Sequence, residues 1–219
     1  MSWQWSAGID MDTAYLLIDM QQGYVDPASP LHIAGAAATV PACRRTMSLA
    51  REKGMPVIWV RRAYSPDSSD IELTRHAGWQ ELGRPIGPDS TGWQWAEGLE
   101  PQEGDYCITK PRYSAFFATQ LDLLLRRLGV RTVVLCGTTL PNCIRTTCYD
   151  ALSLDYQVAV LTDCCSAQTE EIRRVNLEDM ARVGAVLLTE AEWADFTALP
   201  NPLPDIRQSI DLWHGTRTT

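Results

Sequence analysis

A chain of 219 residues, 45% of them hydrophobic, is long enough to bury one substantial α/β core and is composed like an ordinary folded domain. A formal net charge of −8 without a basic cluster argues against nucleic acid as a partner, and no apolar run approaches the length of a membrane span. Seven cysteines without a C-x-x-C pair, three scattered histidines (His32, His76, His214) and no basic-then-apolar leader in residues 1–6 argue against a disulfide framework and a structural zinc site, and predict a reducing cytoplasm.

Ala14-Tyr15-Leu16-Leu17-Ile18-Asp19 is a short apolar run ended by a carboxylate and predicts a first parallel strand. Residues 20–30, with Gly23, Pro27 and Pro30, read as a loop. Helical spacing at Val40, Cys43, Met47 and Ala50 predicts a helix over 36–53, closed by Gly54. A second strand is expected over 56–60. Residues 63–104 are rich in Gly, Pro, Ser, Asp and Trp, with a short helix expected near 70–75. So long an irregular excursion in an α/β unit is either a lid and specificity segment or a loop without function. Trp79, Trp93 and Trp95 favour a packed lid, because three tryptophans are costly to leave in water.

The third strand, 105–110, ends in Lys110 and Pro111, and Ser114 is the expected cap of a helix over 115–128 that Gly129 stops. Strand four is the run Thr132-Val133-Val134-Leu135-Cys136-Gly137. It passes through a Gly/Thr/Pro/Asn turn into a helix whose one face carries Ile144, Cys148, Ala151 and Leu152. Strand five over 157–162, a helix over 170–183 and strand six over 185–188 complete one domain, 1–219. Its tail, 198–219, has no strong pattern. The alternation predicts a three-layer αβα, Rossmann-like fold with a six-stranded parallel sheet in the order 3-2-1-4-5-6. A nucleotide-dependent oxidoreductase would need a Gly-rich turn after strand one, where the chain has Asp19-Met20-Gln21-Gln22-Gly23-Tyr24.

Ligands of such sheets bind beyond the carboxyl ends of the strands at the switch point. Asp19, Lys110 and Cys143 occupy those ends and are expected to converge. Singly, each is as readily a turn cap, a solvated charge or a packed thiol; together on one sheet edge they favour a catalytic trio. Cys143, at the start of a helix, is expected to have a depressed thiol pKa, and free backbone N–H groups there suit an oxyanion. Cys148 is expected in the core, Cys43, Cys107 and Cys136 as small hydrophobes, and Cys164 and Cys165 as neighbours of the site.

Leu17-Ile18-Asp19-Met20-Gln21 with Tyr24, Lys110 with Ser114-Ala115-Phe116, and Gly137-Thr138-Thr139 through Cys143 with Asp150-Ala151 stand in a specific order and spacing. Over residues 14–188 this pattern resembles the isochorismatase-like cysteine hydrolase superfamily, which includes nicotinamidases, N-carbamoylsarcosine amidohydrolases and ureido-group hydrolases. The resemblance implies a catalytic triad of Asp19, Lys110 and Cys143. It also implies a cis peptide between Thr138 and Thr139, and an oxyanion hole from the N–H groups of Thr139 and Cys143. Gln21, Tyr24, Arg61, Tyr113 and Asn142 are the positions expected to meet substrate. Small-molecule substrates, no cofactor and a homo-oligomer, dimer or tetramer, are implied as well.

Two departures narrow that expectation. Metal-binding nicotinamidases carry an Asp-x-His near the end of strand two, where this chain reads Trp59-Val60-Arg61-Arg62-Ala63-Tyr64, so no metal is expected. Isochorismatases proper, which cleave a vinyl ether, lack the nucleophilic cysteine, so Cys143 points to hydrolysis of a C–N bond in an amide, ureido or carbamoyl group or lactam. The arginines after strand two either hold a carboxylate or polar group of the substrate, or are solvated or paired with Asp67 or Asp70. The competing reading is a catalytically silent binding or scaffold protein on the same fold.

Overall fold

The computed structural model describes residues 12–199, so most of the expected tail lies outside the described residues. Six strands, β1 (Thr13–Ile18), β2 (Val57–Arg62), β3 (Tyr106–Lys110), β4 (Thr132–Gly137), β5 (Gln157–Cys165) and β6 (Val186–Leu188), form one sheet in the order β3-β2-β1-β4-β5-β6. Every pairing is parallel. Both faces are covered, which is why the central strands are continuous apolar runs and not alternating ones.

Tyr15, Leu17, Trp59, Val134 and Cys136 pack on one side in a cluster with residues of helices α2 (Ala36–Glu52) and α7 (Glu190–Ala194). Leu16, Ile18, Ile58, Val60, Val133 and Leu135 pack on the other, with α4 (Leu121–Arg127), α5 (Arg145–Ser153) and α6 (Glu170–Arg182). Helix α7 is not among the elements expected from the sequence, although it carries a readable signal. Thr189 and Glu192 form a capping box, and Trp193 behind it is fully buried, with its indole N–H donated to Thr46 O at 2.9 Å.

Several boundaries differ from expectation. β2 runs on to Arg62 and β5 to Cys165, and the loop after β1 contains a short helix, α1 (Gln22–Val25). The helix expected over 115–128 begins only at Leu121. Ser114 caps no helix: its Oγ accepts from Phe116 N, Ala115 N donates to Thr147 Oγ1 at 2.9 Å, and Leu121 N donates to Thr119 Oγ1. Side-chain acceptors thus take backbone donors that a helix would have used, and residues 111–120 stay a loop tied to α5.

Within 63–104 the helix is α3 (His76–Glu81) and not 70–75, because Asp70 accepts from both Ser65 N and Ser65 Oγ in a turn. This segment packs over the carboxyl end of β1. Ala96 N donates to Met20 O and Gln22 N to Gln94 O. Trp79 lies edge-on to Tyr64 with centroids 4.9 Å apart, and Trp95 edge-on to Trp59 at 5.0 Å. Gly92 makes the approach possible: a Cβ there would lie 2.1 Å from Pro85 O and 3.1 Å from Gly23 Cα.

Candidate active site

The two central strands end in unusual backbone. Asp19 has φ 53°, a left-handed conformation tolerated mainly by Gly, Asn and Asp, and its N–H bonds Val60 O at 2.7 Å. Gly137 ends β4 with φ 117°, and a Cβ on it would stand 2.1 Å from Ile18 O, so no side chain fits where β4 closes on β1. The next peptide, Thr138–Thr139, is cis. It is held by Thr138 N to Ile18 O at 2.9 Å, by Ser166 Oγ to Thr138 Oγ1 at 2.8 Å, and by Leu140 N to Ser166 O at 2.8 Å. A π-helical turn over Leu140–Ile144 follows, and Cys143 lies in it just before α5. Thr139 O accepts from Asn142 N and Ile144 N, whereas no partner among the described residues takes the Thr139 N–H.

Three chain-distant residues meet here. Lys110 is 0% exposed, Asp19 1% and Cys143 4%. Lys110 Nζ donates to Asp19 Oδ2 at 2.7 Å and to Arg112 O at 3.1 Å. Asp19 Oδ1 is buried without a hydrogen-bond partner among the described residues, a costly arrangement unless a proton or ligand completes it. Burial pushes the Cys143 thiol up, the Asp19 carboxylate pushes it further, and Lys110 and Arg62 oppose both. The net direction is upward. The depressed pKa expected of a helix-start cysteine is therefore reversed, because desolvation and a neighbouring anion outweigh the helix end. Burial and Asp19 together thus favour the thiol over the thiolate at Cys143.

The residues expected to meet substrate divide. Tyr24 is buried beside this cluster, its hydroxyl pKa raised by burial and then by Asp19. Tyr113 is half-buried with its ring centroid 4.7 Å from the Arg62 guanidinium. Asn142 is exposed. Gln21 is fully used within the protein: Oε1 accepts from Arg62 N at 2.7 Å, and Nε2 donates to Arg62 O at 3.1 Å and Trp93 O at 3.3 Å. It clamps β2 and the covering segment together. Gln21→Ala leaves a buried N–H unpaired and should lower stability in urea unfolding by about 1–3 kcal/mol; a loss under about 0.5 kcal/mol would show that the clamp holds nothing.

Arg61 points away from Cys143. Its guanidinium stacks on Trp93 at 3.6 Å from the ring centroid and reaches Trp95 at 5.4 Å. The arginine at the site is Arg62, which is 1% exposed, with Nη1 3.9 Å from Cys143 Sγ. Arg62 pairs in register with Lys110, whereas Arg61 pairs with Thr109, and successive strand residues face opposite sides. Alternation was the signal that could have separated them, but both faces of β2 are buried, so the sequence does not say which arginine faces which. The partner of Arg62 is also neither Asp67 nor Asp70. Nη2 bonds Glu72 Oε1, and Nε donates to Tyr64 Oη at 2.8 Å.

Cys164 is no neighbour of the site. Its thiol lies in the opposite core layer against Thr46 Oγ1 at 3.3 Å. Cys165 pairs in register with Gly137, but its thiol is buried against Leu135 O, and burial pushes its pKa well up. Beside the site, a cavity of about 180 Å³ is lined by Tyr24, Tyr64, Ile71, Arg75, Trp79 and others. Among the described residues no group of three His, Cys, Asp or Glu side chains could hold a metal ion.

Comparison with known proteins gives the arrangement a context. The isochorismatase domain, as a family, matches residues 13–192. A probable inactive nicotinamidase of Arabidopsis thaliana is 39% identical over 187 residues, covering 84% of this chain and 95% of that protein. A maleamate amidohydrolase of Pseudomonas putida is 30% identical over 183 residues, covering 81% and 83%. The crystal structure of an isochorismatase family protein from Desulfovibrio vulgaris superposes with a TM-score of 0.82 at 39% identity, covering 85% of this chain and 98% of that one.

Proposed function

The chain belongs to the isochorismatase family, and from that premise we propose that it is a cysteine-dependent hydrolase that cleaves a C–N bond of a small molecule. The supporting observation is the buried cluster of Asp19, Lys110 and Cys143, in which one carboxylate oxygen is held by the lysine and the other is left without a partner next to a thiol.

Asp19 takes the Cys143 proton as the sulfur attacks the substrate carbonyl, so the thiolate exists only as the S–C bond forms. The N–H groups of Thr139 and Cys143 receive the oxyanion. Collapse breaks the C–N bond, Asp19 returns the proton to the leaving ammonia or amine, and a thioester remains. Water, deprotonated by Asp19, hydrolyses it and restores the thiol. Lys110 holds Asp19 in place throughout, through the 2.7 Å bond from its Nζ to Asp19 Oδ2. The same reading has the protein act as a dimer or tetramer in the cytoplasm; no helix among the described residues is long and apolar enough to cross a membrane.

A catalytically silent binding protein is the second reading, favoured by the name of the Arabidopsis relative, which calls that protein inactive. A screen of amides, ureas, lactams and carbamoylated amines for release of ammonia or amine separates the two. Turnover of at least one class is expected, unchanged in a chelator because the Asp-x-His ligands are absent. No release from any class overturns the hydrolase reading, and loss in a chelator restored by a divalent ion overturns the metal-free one.

A further inference from the structure

Arg62 is a cation carried into the protein interior and aimed at the nucleophile, and its partner is not part of the sheet. The guanidinium uses all three nitrogens: Nε on Tyr64 Oη at 2.8 Å, Nη2 on Glu72, and Nη1 at 3.9 Å from Cys143 Sγ. Glu72 Oε2 accepts from Tyr64 Oη at 2.8 Å, which closes a ring of three side chains. Although burial opposes it, the Arg62 guanidinium holds the Glu72 carboxyl below the usual carboxylate range, so the pair is ionic.

The two partners are anchored very differently. Arg62 ends β2, inside the sheet, and is clamped through its backbone by Gln21. Glu72 stands in irregular chain between Ser65 and α3, its side chain is 14% exposed, and the next residue, Leu73, is almost fully exposed. The Glu72 side chain can therefore turn outward on its own bonds while Ile71 before it stays packed in the core. Its departure would leave Arg62, Lys110 and the neighbouring Arg75 facing the single carboxylate of Asp19, an uncompensated positive site beside a nucleophile.

We propose that Arg62 is an anion subsite for the substrate and that Glu72 is its resident occupant, displaced when a substrate carboxylate takes its place. The proposal rests on Cys143 being the nucleophile. It narrows the substrate to a short amide or ureido acid. A carboxylate on the guanidinium at about 2.8 Å and a carbonyl carbon about 3–3.5 Å from the sulfur must be only a few bonds apart, since Arg62 Nη1 and Cys143 Sγ are separated by 3.9 Å. A neutral amide has no charge with which to displace Glu72 and reaches the sulfur without that anchor.

The test needs no known substrate. Iodoacetate and iodoacetamide both alkylate a thiol, forming an S–C bond and releasing iodide, and differ in that one carries a carboxylate where the other carries an amide. Their rates at Cys143 are read by peptide mapping, which sets aside the exposed Cys107. Their ratio cancels any change in thiolate fraction. Glu72→Gln frees Arg62 and should raise the iodoacetate-to-iodoacetamide ratio by on the order of tenfold, the scale of one charge-assisted hydrogen bond. Arg62→Met should bring the ratio to that of free cysteine or below. A ratio that Glu72→Gln leaves unmoved overturns the proposal, whatever Arg62→Met does to folding. If the ratio responds as expected but no amide is hydrolysed, the anion subsite stands and the hydrolase reading fails. If an amide is hydrolysed but the ratio does not respond, the hydrolase reading stands and the anion subsite fails.

Discussion

Cys143→Ala is expected to lower turnover of a confirmed amide by roughly 10⁴–10⁶-fold, the scale on which removing a nucleophile disables an enzyme that relies on covalent attack. The fold and substrate binding should survive, because the side chain is small and the π turn that carries it is held by backbone bonds and by Thr147 Oγ1 donating to Cys143 O at 2.6 Å. The cysteines that follow it in the chain are poorer candidates. Cys148 is buried in α5 with its pKa pushed up to about 12 by burial, Cys164 lies in the opposite core layer against Thr46, and the Cys165 thiol is buried against Leu135 O with its pKa pushed well up. Near wild-type turnover in the alanine variant would show that the nucleophile has been misassigned. The readout is steady-state ammonia or amine release, with circular dichroism to establish that the variant is folded.

Lys110→Met should damage both stability and chemistry. The lysine and Asp19 form an ion pair with neither partner accessible to water, and removing one partner of such a pair typically costs about 3–5 kcal/mol because the other charge is left uncompensated. The thiol responds as well. In the wild type burial and Asp19 push the Cys143 pKa up while Lys110 and Arg62 pull it down. Loss of Lys110 removes one of the two groups favouring thiolate, so the pKa moves further up. The sign is fixed by the charge: only the thiolate is alkylated, so the pH profile of iodoacetamide alkylation at Cys143 shifts to higher pH. Lys110→Arg keeps a cation but places a planar fork where a compact ammonium sat, so the profile should shift less while hydrolysis stays poor. An unchanged profile in Lys110→Met would mean that the lysine does not act on the cysteine.

The order of the sheet and the convergence of Asp19, Lys110 and Cys143 are readable from the chain because they follow from one-dimensional rules. Buried parallel strands are runs of apolar β-formers, crossovers are right-handed, and reactive residues at strand ends meet at the switch point. The departures from expectation are of a different kind. Ser114-Ala115-Phe116 has helix-compatible composition, yet Thr147, a distant residue, takes its backbone donor and keeps it a loop. The sequence offers Arg61 and Arg62 on equal terms, and only the register of β2 against β3 puts one on tryptophans and the other beside Cys143.

Glu72 lies in a stretch without periodicity, so nothing local marks it as the partner of a buried arginine ten residues away. The thiol pKa departs from expectation for the same reason. A cysteine at a helix start is a local feature that favours the thiolate, whereas burial and a carboxylate contributed by another strand are tertiary and favour the thiol. The sequence by itself thus determined the layers, the strand order and which residues meet. Which way each side chain faces, what it is paired with and whether it is charged were decided only when the chain closed, because those depend on distances between residues far apart along it.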